Sequence, residues 1–212
     1  MRVKICGMRS PRNIQAVARL EIDWMGFIFY ERSPRAIPDD QLPETLQLPA
    51  GRQIRRVGVF VDASAEWILS TCRRYGLDVV QLHGHESPEL CHTLQKRGYG
   101  VIKALPIGDD PTDLAATAAY EGRVDYFLFD TRCAGYGGSG QVFDWSLLAR
   151  YEGETPFLLS GGLRHESLGA LRAFQHPRLA GIDLNSGFES APGIKDIQRL
   201  RTFIKQLKQQ TL

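Results

Sequence analysis

The first thirteen residues, MRVKICGMRSPRN (1–13), hold one complete folding unit. VKIC alternates apolar and polar residues as a short strand does, and Gly7 ends it. Ser10-Pro11 then reads as a helix N-cap followed by proline at the first helical position, with Ile14, Val17 and Ala18 on one helical face. A strand, a turn at Cys6-Gly7 and a helix make a βα unit.

The unit recurs along the chain. Further apolar runs lie at 24–29, 56–61, 78–83, 100–105, 124–130, 156–160 and 180–185. They are rich in Val, Ile, Leu and Phe, as strands buried on both faces are. Helix signals fall between them: Ser64 before AEWILSTCRR, Ser87-Pro88 before Leu90, Cys91 and Leu94, and a final stripe of Ile197, Leu200, Ile204 and Leu207. Eight strands with helical patterns between them predict a (β/α)8 TIM barrel, class α/β. An open doubly wound sheet would use fewer strands and leave a polar edge, and none is visible. The intervals after strands two and six are long, as active-site loops are. No glycine- or proline-rich linker divides residues 1–212, so a single barrel domain is expected.

The totals exclude several classes. The 212 residues are 43% apolar with formal charge +2, and acids and bases are scattered, so no basic face suggests nucleic acid. No run approaches the ~18 apolar residues of a membrane span, and Lys4 and Arg9 interrupt any signal-peptide core. The four cysteines, Cys6, Cys72, Cys91 and Cys133, include no CxxC pair. Scattered thiols without an export signal predict a cytoplasmic protein.

In a barrel, the strand C-termini carry the chemistry. Here they present Cys6, ERSPR (31–35), Asp62, Gln81 and His83, Asp130, Gly161-Gly162, and Asp183 with NSGFE (185–189). Cys6 alone reads first as a small buried hydrophobe. Asp130, directly after an aromatic run, is expensive to bury unpaired. Its bland reading is a helix cap, but YGGSG intervenes before the next helical pattern near Phe143. The glycines after strands seven and eight sit where these barrels bind phosphate, so Gly161, Gly162, Ser186 and Gly187 are the phosphate candidates. GYGGSG (135–140) lacks the Lys-Ser/Thr of a P-loop, which rejects ATP. Arg35 is either an exposed arginine or a fork for a carboxylate. His83 reads as a ligand, a proton carrier or a satisfied core histidine, and spacing alone favours the last. His85 and His92 complete no metal set with it.

Taken together, KICGM, GFIFYERSPR, VGVFVD, VQLHG, IKA, FDT, YGGSGQVFDW, LLSGGL and SGFESAPGIKD resemble the phosphoribosylanthranilate isomerase family. They run in order from residue 4 to residue 196. The resemblance implies a (β/α)8 barrel that turns N-(5-phosphoribosyl)anthranilate into 1-(2-carboxyphenylamino)-1-deoxyribulose 5-phosphate in tryptophan biosynthesis. It implies Cys6 as general base, Asp130 as general acid and Arg35 on the anthranilate carboxylate. His83 and Asp183 stand beside Arg35 as substrate-binding candidates. The family usually reads SSG-V-E where this chain has Asn185-Ser186-Gly187-Phe188-Glu189, which puts the contact made by Asn185 in question.

The implied reaction needs an acid at the furanose oxygen and a base at the C2 hydrogen, with no metal and no organic cofactor. A thiol near helix N-termini is expected to have a lowered pKa. The partner is a small phosphosugar–anthranilate substrate, without nucleic acid or membrane, and the chain is expected to be a monomer or homodimer. Two rivals stand beside this reading. The histidine-pathway Amadori isomerase normally carries an aspartate where this chain has Cys6. A non-catalytic phosphosugar-binding barrel has no need of Cys6 and Asp130 together.

Overall fold

The computed structural model describes residues 1–38, 48–49, 51, 53–108, 110–131 and 144–209. Cys133 and the GYGGSG loop lie outside the described residues, as does Phe143.

Eight parallel strands close on themselves in chain order: β1 (Arg2–Ile5), β2 (Trp24–Ile28), β3 (Arg55–Phe60), β4 (Val79–Leu82), β5 (Gly100–Ile107), β6 (Tyr126–Thr131), β7 (Phe157–Leu159) and β8 (Leu179–Leu184). Closure comes from β1 pairing with β8, Lys4 opposite Asp183 and Ile5 opposite Leu184. The expected fold is therefore present. Strand one stops at Ile5, one residue before Cys6, although the Cys6 amide still donates to the Leu184 carbonyl at 2.9 Å.

The helices are α1 (Pro11–Val17), α2 (Ala65–Tyr75), α3 (Pro88–Lys96), α4 (Leu168–Ala173) and α5 (Ile197–Lys208). The Ser64 and Ser87 caps form, each hydroxyl accepting a backbone N–H, from Trp67 and Leu90. Ser10 precedes α1 without a side-chain cap bond, and Pro11 does the starting. The helical layer is less regular than the sequence suggests, because Pro111–Ala119 and Trp145–Arg150 wind as 3-10 helices. Thr and Ala are frequent in the first of these, and the Thr117 hydroxyl donates to the Leu114 carbonyl, a local side-chain bond that competes with regular α-helix. The stripe on α5 buries Leu200, Phe203, Ile204 and Leu207, with Ile197 only partly covered. Each large apolar chain sealed this way contributes about 1.5–3 kcal/mol. No helix among the described residues is long and apolar enough to cross a membrane.

Strand alternation then sorts the barrel interior into layers. Trp24, Val57, Val79, Ile102, Leu128 and Leu158, from six strands, pack together as an apolar floor. Two residues further along four of those strands, on the same side, come Gly26, Gln81, Asp130 and Ser160. One change of layer turns a dry floor into a polar mouth.

Candidate active site

A cavity opens at the C-terminal mouth. Cys6, Gln81, His83, Asp130, Ser160, Gly161, Gly162, Asp183, Asn185, Ser186 and Gly187 line it, with apolar walls from Ile28, Val59, Val61 and Leu163. Every expected site residue is there except Arg35. Asp62, also on the expected rim, turns away instead and accepts the His85 amide.

The two candidate proton carriers sit in different surroundings. Asp130 lies one-fifth exposed at the end of β6, its Oδ1 accepting its neighbour's Thr131 amide at 3.0 Å and its Oδ2 3.4 Å from His83 Nε2. The Gln81 side-chain amide meets the other His83 nitrogen at 3.0 Å. An amide N–H can only donate, so a neutral His83 carries its proton on Nε2, facing Asp130. Cys6 is buried at 4% exposure. Burial pushes its thiol up, against the pull of Lys4. The expectation of a lowered thiol is thus corrected: the neighbouring ammonium charge does not make up for the loss of water around the sulfur.

Beneath Cys6 lies a residue that the strand pattern had not singled out. Lys4, fully buried, donates to Asp183 Oδ2 at 2.9 Å. Burial alone lowers the Lys4 pKa, and the Asp183 carboxylate overrides it and holds the ammonium above its usual range. Burial also pushes Asp183 up, partly offset by Lys4. The two directions disagree about the state of the bridge. Its short contact decides for the ionised pair, since a neutral carboxyl would leave a buried cation unopposed. The signal was available in the sequence: a lysine two residues before Cys6, in a strand buried on both faces, shares its side of the sheet.

Arg35 does form the bidentate pair expected of a guanidinium fork, but with this chain's own Glu189. Nε lies 3.0 Å from both carboxylate oxygens and Nη2 2.7 Å from Oε2. Its stem crosses Gly7, where φ is +72° and a Cβ would come within 2.8 Å of Arg35 Cδ. Glu189 also accepts from Lys195 Nζ at 2.6 Å and the Gly193 amide at 3.0 Å. Burial would raise Glu189, but Arg35 and Lys195 together hold it below the usual carboxylate range. Lys195 gives a second bond, 2.7 Å, to Asn185 Oδ1. The departure at Asn185 thus has a definite contact, one that ties the strand-eight loop to β10 (Ile194–Lys195), the partner of β9 (Glu189–Ala191).

The glycines take conformations suited to presenting N–H groups. Gly161 and Gly162 have φ of +85° and +63°, and a Cβ on Gly161 would strike the Thr131 backbone. Ser186–Phe188 forms a single 3-10 turn after β8. Among the described residues, two buried cavity acceptors, Gln81 Oε1 and Asp183 Oδ1, have no hydrogen-bond partner. Nor is any cluster of metal-ligating side chains present among them.

Residues 3–206 match the family model described as N-(5'-phosphoribosyl)anthranilate (PRA) isomerase. A relative from Parabacteroides distasonis, named N-(5'-phosphoribosyl)anthranilate isomerase, is 59% identical across 98% of this chain and 93% of its own. The crystal structure of phosphoribosyl anthranilate isomerase from Thermotoga maritima superposes with TM-score 0.85 at 36% identity, covering 98% of each chain. A further solved structure, the isomerase in complex with reduced 1-(o-carboxyphenylamino)-1-deoxyribulose 5-phosphate, aligns at TM-score 0.82 and 34% identity over 98% of each chain.

Proposed function

The chain belongs to the N-(5'-phosphoribosyl)anthranilate isomerase family, and we propose that Cys6 is the general base and Asp130 the general acid of its reaction. That reaction is the Amadori rearrangement of N-(5'-phosphoribosyl)anthranilate in tryptophan biosynthesis. The observation that carries the assignment is a single cavity bordered by both residues and by the glycines of the last two loops.

Asp130 gives its proton to the furanose oxygen, the C1–O bond breaks, and the anthranilate nitrogen becomes an iminium. The Cys6 thiolate then removes the C2 hydrogen as a proton, leaving an enolamine that tautomerises to the ketone. Two such groups contribute about 10²–10⁴-fold each. They must hold opposite protonation states in one site. The Lys4 ammonium beside Cys6 favours the charged sulfur that the base must be.

The cavity lining supports the remaining contacts, except that of Arg35, which lies outside it. Backbone N–H groups of Gly162, Ser186 and Gly187 suit the phosphate. Gln81 Oε1 and Asp183 Oδ1 are acceptors for the sugar hydroxyls, which would satisfy both buried orphans. Arg35, with Nε and Nη2 turned to Glu189, offers Nη1 as the remaining nitrogen for the anthranilate carboxylate. The direct test is loss of the fluorescence of freshly made phosphoribosylanthranilate on adding the protein. Loss with wild type that fails with Cys6→Ser and Asp130→Asn supports the roles. Near-normal turnover by either variant overturns them.

A further inference from the structure

Lys4 has no evident structural reason to be a lysine. Its side chain is entirely buried in the barrel, one layer below the cavity. Replacing a buried ion pair with well-packed apolar residues is often neutral or stabilising, so fold stability alone does not account for an ammonium there.

Its position relative to Cys6 does. The two residues are two apart in sequence and share the inner side of the barrel. A Cβ built on Gly26 would lie 2.9 Å from Cys6 Sγ and 3.3 Å from Lys4 Nζ, so both atoms border one point that β2 leaves empty. The ammonium that borders this point also holds Asp183 Oδ2 at 2.9 Å. We propose that Lys4 is the positioning residue that keeps Cys6 available as a thiolate, with Asp183 setting how much of the ammonium's charge the sulfur feels. This rests on the reading of Cys6 as the base.

The surroundings fix the signs. Lys4 on β1 and Lys195 on β10 pull the thiol pKa down, while burial and Asp183 on β8 push it up. Lys195 is already paired with Glu189, and Glu189 also holds Arg35. Asp130 and His83, from β6 and β4, share the cavity with Cys6. Lys4, which borders the same point beside Gly26 as the sulfur, is therefore the ammonium placed to act on it. When the thiolate takes the C2 proton an S–H bond forms, and Lys4 stays an ammonium throughout. The energetic role of Lys4 is greatest when the sulfur is charged.

The test reads the thiol without using turnover. Wild type, Lys4→Met, Asp183→Asn and the double variant are treated with iodoacetamide across a pH series. The modified Cys6 peptide is then quantified by mass spectrometry. Lys4→Met should move the alkylation midpoint up by at least about one pH unit, slowing reaction at neutral pH about tenfold. Asp183→Asn should move it down, because the thiolate becomes the nearest anion to Lys4. The double variant, a neutral pair that avoids a lone buried charge, should lie above wild type, and it serves if Lys4→Met fails to fold. An unchanged midpoint in both variants lacking Lys4, or an upward shift in Asp183→Asn, overturns the proposal. Turnover by Cys6→Ser would sink the base assignment itself, and the alkylation midpoints are independent of that result.

Discussion

His83 Nε2 stands 3.4 Å from Asp130 Oδ2, and the ring's other nitrogen is held 3.0 Å from the Gln81 amide. A histidine fixed from behind in this way orients the carboxylate it faces. Removing the ring should therefore disturb Asp130 before it disturbs binding. His83→Ala is expected to lower kcat about tenfold, with KM changing much less. Initial rates across substrate concentration would show it. A variant whose loss lies wholly in KM would make His83 a substrate contact only.

Cys6→Ser and Asp130→Asn should each reduce kcat by about 10²–10⁴-fold with little change in affinity. Serine keeps the shape at the end of β1 but is a far weaker base at neutral pH. Loss in that variant therefore speaks for thiolate chemistry over packing. Equilibrium binding of a product analogue to both variants checks that the cavity is intact.

The barrel was legible from local signals: apolar runs of strand length, Ser and Pro at helix starts, glycine at strand ends. Cys6, Asp130, His83, Asp183 and the glycines of the last two loops were legible as one group because a barrel puts its strand ends at one mouth. The partners were not. Arg35 and Glu189 are 154 positions apart, and no periodicity reports that they meet. The Cys6 shift went the other way from expectation, because the sequence does not show how completely the sulfur is buried. The 3-10 helices escaped notice for a local reason, since a short Thr- and Ala-rich segment reads much the same as either helix type.

Glu189 makes a prediction in pH. Its folded pKa is held below its ordinary value of 4.5. The stability it contributes is thus fully present above that value and is lost as pH falls through the lower folded one. Glu189→Gln should lower the unfolding temperature at neutral pH and flatten its decline under acid. It should also raise KM, because Arg35 loses the carboxylate that aims it. Thermal melts at neutral and strongly acidic pH decide the first point. Equal acid sensitivity of variant and wild type would count against it.

The described cysteines should separate in reactivity. Burial pushes Cys72 up to about 12 and Cys91 up to about 11, and neither borders the cavity. Cys6 is buried as well, but it faces the mouth. Iodoacetamide under native, mildly alkaline conditions should modify Cys6 ahead of both, and bound product analogue should slow that modification. Peptide mapping that finds Cys72 or Cys91 labelled first would contradict the burial pattern.

The phosphate assignment depends on backbone N–H groups, so side-chain deletion cannot test it and backbone geometry must. Gly162 sits at φ +63°, where an alanine costs roughly 1–2 kcal/mol, a strain that a closed barrel can absorb. Gly187 is different, because a Cβ there would press on the Leu163 carbonyl and shift the loop away from its neighbour. Phosphate is bound alike in substrate and transition state, so weakening its site removes uniform binding. Both Gly162→Ala and Gly187→Ala should therefore raise KM and weaken competitive inhibition by inorganic phosphate, the second more than the first, while kcat stays near wild type. Steady-state kinetics with and without phosphate read both effects. Unchanged phosphate inhibition in the two variants would mean that the anion binds elsewhere. A fall in kcat at constant KM would mean that these loops act on Cys6 and Asp130 and leave the phosphate to another part of the mouth.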